Sequence, residues 1–165
     1  LHELEFGAGV DGYLDLMHRL QIPKAEVLPF YSWEKKHYTR NLIERNDRFE
    51  LILMCWEPGQ ESMIHSYRQQ EGWMYVIEGE LTINHYLKTS GERKMQFYKE
   101  VQLRPGKFLY VNDYLGFHSA TNSYQHRTVS LHLHAGPVKK WKVYDPETNS
   151  FCKRKTRIDS DFRTK

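Results

Sequence analysis

A chain of 165 residues with a net charge of +3, 39% apolar and 27% charged residues, has the make-up of one ordinary globular domain. That composition excludes a disordered or collagen-like chain, and two cysteines exclude a disulfide framework. No apolar run approaches the roughly 20 residues of a membrane helix and no charged-then-apolar leader opens the chain, so a cytoplasmic protein with no membrane and no nucleic-acid partner is expected.

In chain order, GYLDLMHRLQIP places Leu14, Met17 and Leu20 at three-residue spacing and predicts a helix that Pro23 stops. A second short helix is expected in PFYSWEKK, so residues 1–37 read as a helical preface. From Tyr38 onward the pattern changes to short β-rich runs: FELILMCW, GWMYVIEG, ELTINHYL, MQFYKEVQL, KFLYVN and TVSLHLHAG. Turn-rich stretches such as EPGQES, KTSGERK and RPG separate them. Strands at this spacing predict an antiparallel barrel or double-sheet jelly roll over 38–145, and the basic residues 146–165 read as a solvated tail. The expectation is a single domain, mainly β, with no internal repeat and no set oligomeric state.

Side chains two apart on a strand share a face, so His65 and Tyr67 both point inward if IHSYR is extended. His118, in GFHSATN, can add a third group from a neighbouring strand. In SLHLH, Ser130, His132 and His134 line one face while Val129, Leu131 and Leu133 fill the other. Neutral imidazoles converging on a barrel mouth suit a divalent metal with open positions. His2, His18, His37, His85 and His126 fall in helical, turn or exposed contexts and are read as having no part in the site. Cys55, in an apolar run, reads as a small buried hydrophobe.

The blocks HYTRNLI at 37–43, CWEPGQESMIH at 55–65, EGEL at 78–81, NDYLGFHSATN at 112–122 and TVSLHLHAGP at 128–137, followed by VYDPETN, occur in one order over most of the chain. In this the sequence resembles the cysteine dioxygenases and related thiol dioxygenases of the cupin superfamily. The resemblance implies a cupin jelly-roll barrel holding Fe(II) with three histidines and oxidising a small thiol to a sulfinic acid with dioxygen. His65 and His118 fall on two of the iron-ligand positions, and Tyr67 on the remaining one. His132 and Ser130 match the family's active-site histidine and its serine partner, and His134 stands where the family has a tyrosine. Gly72 stands where many animal members have the cysteine that crosslinks to that tyrosine, so no crosslink can form. Arg40, with Tyr38 beside it, matches the arginine that the resemblance implies would clamp the substrate carboxylate. Mercaptopropionate-type relatives carry glutamine there, which points to an amino-acid thiol.

Tyr67 changes the metal chemistry. A phenol with a reference pKa of about 10 must lose its proton to bind, and a tyrosinate favours Fe(III). Glu71, near the carboxylate position of the general cupin pattern, His134 or water are the other groups that could complete the set. The alternatives to an altered thiol dioxygenase are a cupin enzyme with a different metal and reaction, and a metal-poor binding or regulatory protein that keeps the Arg40 pocket.

Overall fold

A computed structural model describes residues 19, 21–67, 70–88, 94–112 and 116–163. Twelve strands dominate it: β1 (Thr39–Arg45), β2 (Phe49–Trp56), β3 (Ile64–Ser66), β4 (Gly72–Glu78), β5 (Leu81–Lys88), β6 (Met95–Leu103), β7 (Phe108–Val111), β8 (Phe117–Thr121), β9 (Thr128–Ala135), β10 (Lys140–Asp145), β11 (Ser150–Lys155) and β12 (Ser160–Asp161). They form two six-stranded sheets, in the orders β12-β1-β2-β9-β4-β7 and β11-β10-β3-β8-β5-β6. Every neighbouring pair is antiparallel except β1 with β12. The expected jelly roll is what the chain forms. Among the described residues no helix is long and apolar enough to cross a membrane.

The first sheet is buried on both faces, which explains why β2 is a near-continuous apolar run rather than an alternating one. Ile52, Met54 and Trp56 face the space between the sheets with Met74, Val76 and Ile83. Leu53 and Cys55 face outward with Trp73, Val129, Leu131 and Leu133, and Val27, Phe30, Tyr31 and Trp33 pack against that outer cluster. Strand β9 keeps the expected alternation, its leucines outward and Ser130, His132 and His134 on the face toward the second sheet.

Most of the helix expected at 12–23 falls outside the described residues. The second expected helix, PFYSWEKK, is replaced by an earlier and shorter element: a single helical turn α1 (Lys24–Val27) and a 3-10 turn (Leu28–Phe30), after which Tyr31 turns extended at φ −70° and ψ 132°. Tyr31 and Trp33 reach the same outer cluster from positions two apart, and only extended backbone brings such a pair to one surface.

The closing segment is the larger correction. Instead of a solvated tail it supplies β11, paired along all of β10, and β12, laid parallel on β1. Both are edge strands, and lysine and arginine on an edge strand hinder pairing with another chain, so a basic composition suits this role as well as it suits a tail. The segment also fastens β1: Asp159 N–H donates to the Arg40 carbonyl, Phe162 N–H to that of Leu42, and Arg40 N–H to Asp159 Oδ2 at 2.8 Å. Arg157 Nε reaches Asp159 Oδ1 at 2.8 Å, and its Nη2 donates to the Tyr38 carbonyl at 2.8 Å.

Replacing Asp159 with alanine removes the acceptor for Arg40 N–H and for Arg157. It should lower unfolding free energy by about 1–3 kcal/mol in a urea titration, with Asp159→Asn losing less. An unchanged midpoint in the alanine variant would mean that this fastening contributes nothing to stability.

Candidate metal centre

Two strands of the second sheet bring the central pair together. His65 on β3 lies directly opposite His118 on β8, and directly opposed residues share a face. Their ring centroids are 4.4 Å apart. Tyr67 follows β3, two residues beyond His65, with its ring 5.2 Å from that of His65 and 5.1 Å from that of His118. Its hydroxyl is 3.3 Å from His118 Nε2. All three side chains are buried.

The histidines are set up as neutral donors. Burial, outweighing the hydrogen bond to the Met63 carbonyl, pushes the His65 pKa down to about 3. Burial, followed by the neighbouring His65 and further histidines, holds His118 well below the usual imidazole range. His65 Nδ1 is 2.7 Å from the Met63 carbonyl oxygen, and only an N–H can make that bond, so the Nε2 lone pair stays available. Two donors each about 2.1 Å from a shared ion sit about 3.0–3.4 Å apart, and the Tyr67–His118 spacing of 3.3 Å falls in that range. A divalent metal therefore fits two imidazoles and a phenol. Among the described residues no group of three or more His, Cys, Asp and Glu is placed to hold an ion.

Glu71 and His134, the other side chains considered for a third ligand, have hydrogen-bond partners of their own. Glu71 Oε1 accepts from the Tyr110 hydroxyl at 2.9 Å, and that hydroxyl accepts from Asn112 Nδ2 at 2.8 Å, so this carboxylate is committed to β7. His134 stands opposite Glu50 on one side and Gly72 on the other. Its Nδ1 is 2.9 Å from Glu50 Oε1, and Arg45 donates to Glu50 Oε2 from Nε at 3.0 Å and Nη2 at 2.7 Å. Its ring packs 4.8 Å from that of Tyr67. A Cβ on Gly72 would lie 3.0 Å from His134 Cδ2 and 3.4 Å from Tyr67 Cε2, so the absent side chain makes room for both rings. His134 thus buttresses Tyr67.

Glu50 and Arg45 were not among the residues picked from the sequence. The available signal was a single carboxylate within FELILMCW, which lies fully buried. Burial alone raises its pKa, and the hydrogen bonds and charges of His134 and Arg45 reverse that to leave it lowered. His85, read from the sequence as uninvolved, is buried on β5 directly opposite His118.

Further side chains on or next to the first sheet complete the surroundings. Ser130 Oγ accepts from Trp56 Nε1 at 2.9 Å and lies 2.8 Å from His132 Nε2. Tyr38 stacks on Trp56 with centroids 4.2 Å apart, and burial raises its pKa. Buried Arg40 donates from Nε to the Arg157 carbonyl at 3.0 Å, and its guanidinium carbon lies 5.4 Å from the centre of the Trp141 ring. Tyr38, Arg40, His65, Tyr67, His132 and Trp141 share the wall of one cavity of about 10 Å³, room for a single water.

A family model described as cysteine dioxygenase type I matches residues 6–147. Relatives named cysteine dioxygenase type 1 include one from Danio rerio, 30% identical over 84% of this chain and 71% of its own, and one from Homo sapiens, 28% identical over 100% and 83%. Among solved structures, a Klebsiella pneumoniae protein described as having a double-stranded β-helix domain aligns with TM-score 0.52 and 16% identity over 84% of this chain and 100% of its own. A cupin from Desulfovibrio desulfuricans aligns with TM-score 0.53 and 16% identity over 70% and 97%, which supports the fold alone.

His65, His118, His132 and His134 all have lowered pKa values, burial being the first cause in each. In the unfolded chain the same rings gain protons below about pH 6.5, so the unfolded state then binds more protons and stability falls with pH. Metal-free protein should be fully stable above that value and lose up to about 1.4 kcal/mol per pH unit for each ring below it, continuing for His65 toward its folded pKa of about 3. Urea midpoints at pH 7.5, 6 and 5 measure this, and equal midpoints would show that the rings are not held neutral.

Proposed function

The chain belongs to the cysteine dioxygenase type I family, and on that premise we propose that it is an iron-dependent thiol dioxygenase acting on a small, carboxylate-bearing thiol of the cysteine kind. The product is the sulfinic acid: both atoms of dioxygen end on sulfur, which gives up four electrons, so no external reductant is needed. The observation that carries this reading is the shared cavity, whose wall His65, paired with His118 across β3 and β8, and Tyr67 share with the buried Arg40.

Each residue has a task set by its chemistry. His65, His118 and Tyr67 would hold Fe(II), which when bound supplies the place where thiolate and dioxygen meet and the electrons that let oxygen react. Arg40 presents a planar fork to the substrate carboxylate, which two parallel hydrogen bonds can engage. Its Nε is already tied to the Arg157 carbonyl, which fixes the plane of the guanidinium. The Ser130 oxygen accepts the Trp56 proton and lies 2.8 Å from His132 Nε2; with the Ser130 hydroxyl donating there, His132 carries its own proton on Nδ1. His132 can then donate to an oxygen atom of the bound reactants. Tyr38, stacked on Trp56, closes the wall beside Arg40.

Tyr67 distinguishes this chain from a three-histidine site. Glu50 and Arg45 hold His134 against its ring, so the phenol is positioned rather than loosely placed.

Iron-loaded protein should consume oxygen with cysteine and yield a sulfinate by mass spectrometry. His65→Ala and His118→Ala should each lose stoichiometric iron, and Tyr67→His should bind Fe(II) more tightly. Normal iron content in both alanine variants would remove the metal centre, and no oxygen uptake with any small thiol would leave a cupin that binds without oxidising.

Arg40→Ala should weaken cysteine binding by about ten- to a hundredfold, the worth of a charge-assisted hydrogen bond, while barely changing cysteamine, which lacks the carboxylate. Equal losses with both thiols would show that Arg40 supports the fold and not the substrate.

A further inference from the structure

The cavity beside Arg40 is too small for the ligand proposed to occupy it, and Trp141 is one of the side chains that close it. The cavity of about 10 Å³, the space open to the centre of a water, holds about one water, and a cysteine-sized molecule needs room for several. A bound substrate therefore requires part of the wall to yield. Toward the first sheet the wall is tied down: Arg40 to Arg157, Ser130 to Trp56 and His132 to Ser130 by hydrogen bonds, on strands β1, β2 and β9 that are paired on both sides. Trp141 is different.

Trp141 lies near the start of β10, two residues before Val143, which pairs with His65. Its indole lies on the same face as Val143, between the metal candidate and the carboxylate clamp, with its ring centroid 4.4 Å from that of His65 and 5.4 Å from the Arg40 guanidinium carbon. These are ring contacts only. Its Nε1–H is buried and has no hydrogen-bond partner among the described residues. His132 Nδ1, in the same wall, is buried and unpartnered too. Buried polar atoms are nearly always paired, so an unpaired polar atom on each of two residues that line one cavity with Arg40 points to a polar ligand.

Resting on the carboxylate-thiol reading above, we infer that Trp141 determines the specificity of this pocket: its bulk limits the ligand to cysteine size, and its indole N–H is a second donor to the carboxylate beside Arg40. Rotation of the indole, held by contacts and by no hydrogen bond, admits the ligand. Once inside, the carboxylate accepts from the indole N–H and from the Arg40 fork, so the ligand supplies the partner the free protein lacks. An indole suits this position because it keeps its proton at every ordinary pH and offers only a donor.

The test is anaerobic calorimetry on metal-loaded wild type, Trp141→Phe and Trp141→Leu with four ligands: cysteine; serine, which has the carboxylate and amine without the thiol; homocysteine, one methylene longer; and cysteamine, without the carboxylate. Trp141→Phe keeps most of the bulk and loses the N–H. It should bind cysteine and serine about tenfold more weakly and cysteamine unchanged. Trp141→Leu opens the wall and should shift the ratio of homocysteine to cysteine affinity by about tenfold toward homocysteine. Equal affinities in wild type and Trp141→Phe, or equal losses for all four ligands, would overturn the donor role, and an unchanged size ranking in Trp141→Leu would overturn the size limit. Wild type that binds neither cysteine nor serine would sink the carboxylate-thiol reading itself, an outcome distinct from normal wild-type binding with indifferent variants.

Discussion

Putting ionisable side chains between two apolar sheets is the constraint on which the rest of this structure depends. A polar group taken out of water is costly unless it is hydrogen-bonded, and a charge more so. The interior obeys this by pairing: Glu50 with His134 and Arg45, Ser130 with Trp56 and His132, His65 with the Met63 carbonyl, Arg40 with the Arg157 carbonyl. The histidines meet the rest of the constraint by staying neutral, and a neutral imidazole is also what a metal needs. Stability and readiness for chemistry thus come from the same property. In the cavity wall the rule lapses at His132 Nδ1 and Trp141 Nε1, where a ligand would restore it.

A tyrosine at a ligand position has structural consequences beyond the metal. A phenol ring extends farther than an imidazole, and two neighbouring positions accommodate it. Gly72 leaves open the space that a side chain would fill, and His134, hydrogen-bonded to Glu50, packs against the ring at a tilt of 56°. Tyr67, Gly72 and His134 form one packed unit. The same packing holds the phenol within 3.3 Å of His118 Nε2.

The Arg40 clamp shows how distant parts of the chain become one device. Its guanidinium is reached by the Arg157 carbonyl, its amide by the Asp159 carboxylate, and its carbonyl by the Asp159 amide. All three contacts come from the closing segment, whose strand β12 lies parallel to β1. An arginine fixed at its backbone and its Nε has few ways to move, and the terminal nitrogens keep one direction. Preorganisation of that kind lowers the ordering cost of binding a carboxylate.

How much of this was legible beforehand follows from the range over which each pattern acts. The strands, the inward face of SLHLH, the two-residue spacing of His65 and Tyr67 and the apolar layers are all local: period-two alternation records which side of a strand meets the core, and turn residues record where strands stop. Residue matching added the family and the clamp position of Arg40. Glu50 beside His134, His85 opposite His118, Trp141 over His65 and the closing strands beside β10 and β1 depend instead on which strand neighbours which and in what register. Those pairings join residues up to 119 positions apart, as Arg40 and Asp159 do. The sequence by itself therefore determined the fold class and the chemical kinds of residue available to the site. Only the tertiary structure decided which of them touch, because cross-strand register is chosen by the packing of the whole interior and leaves no mark in the local pattern.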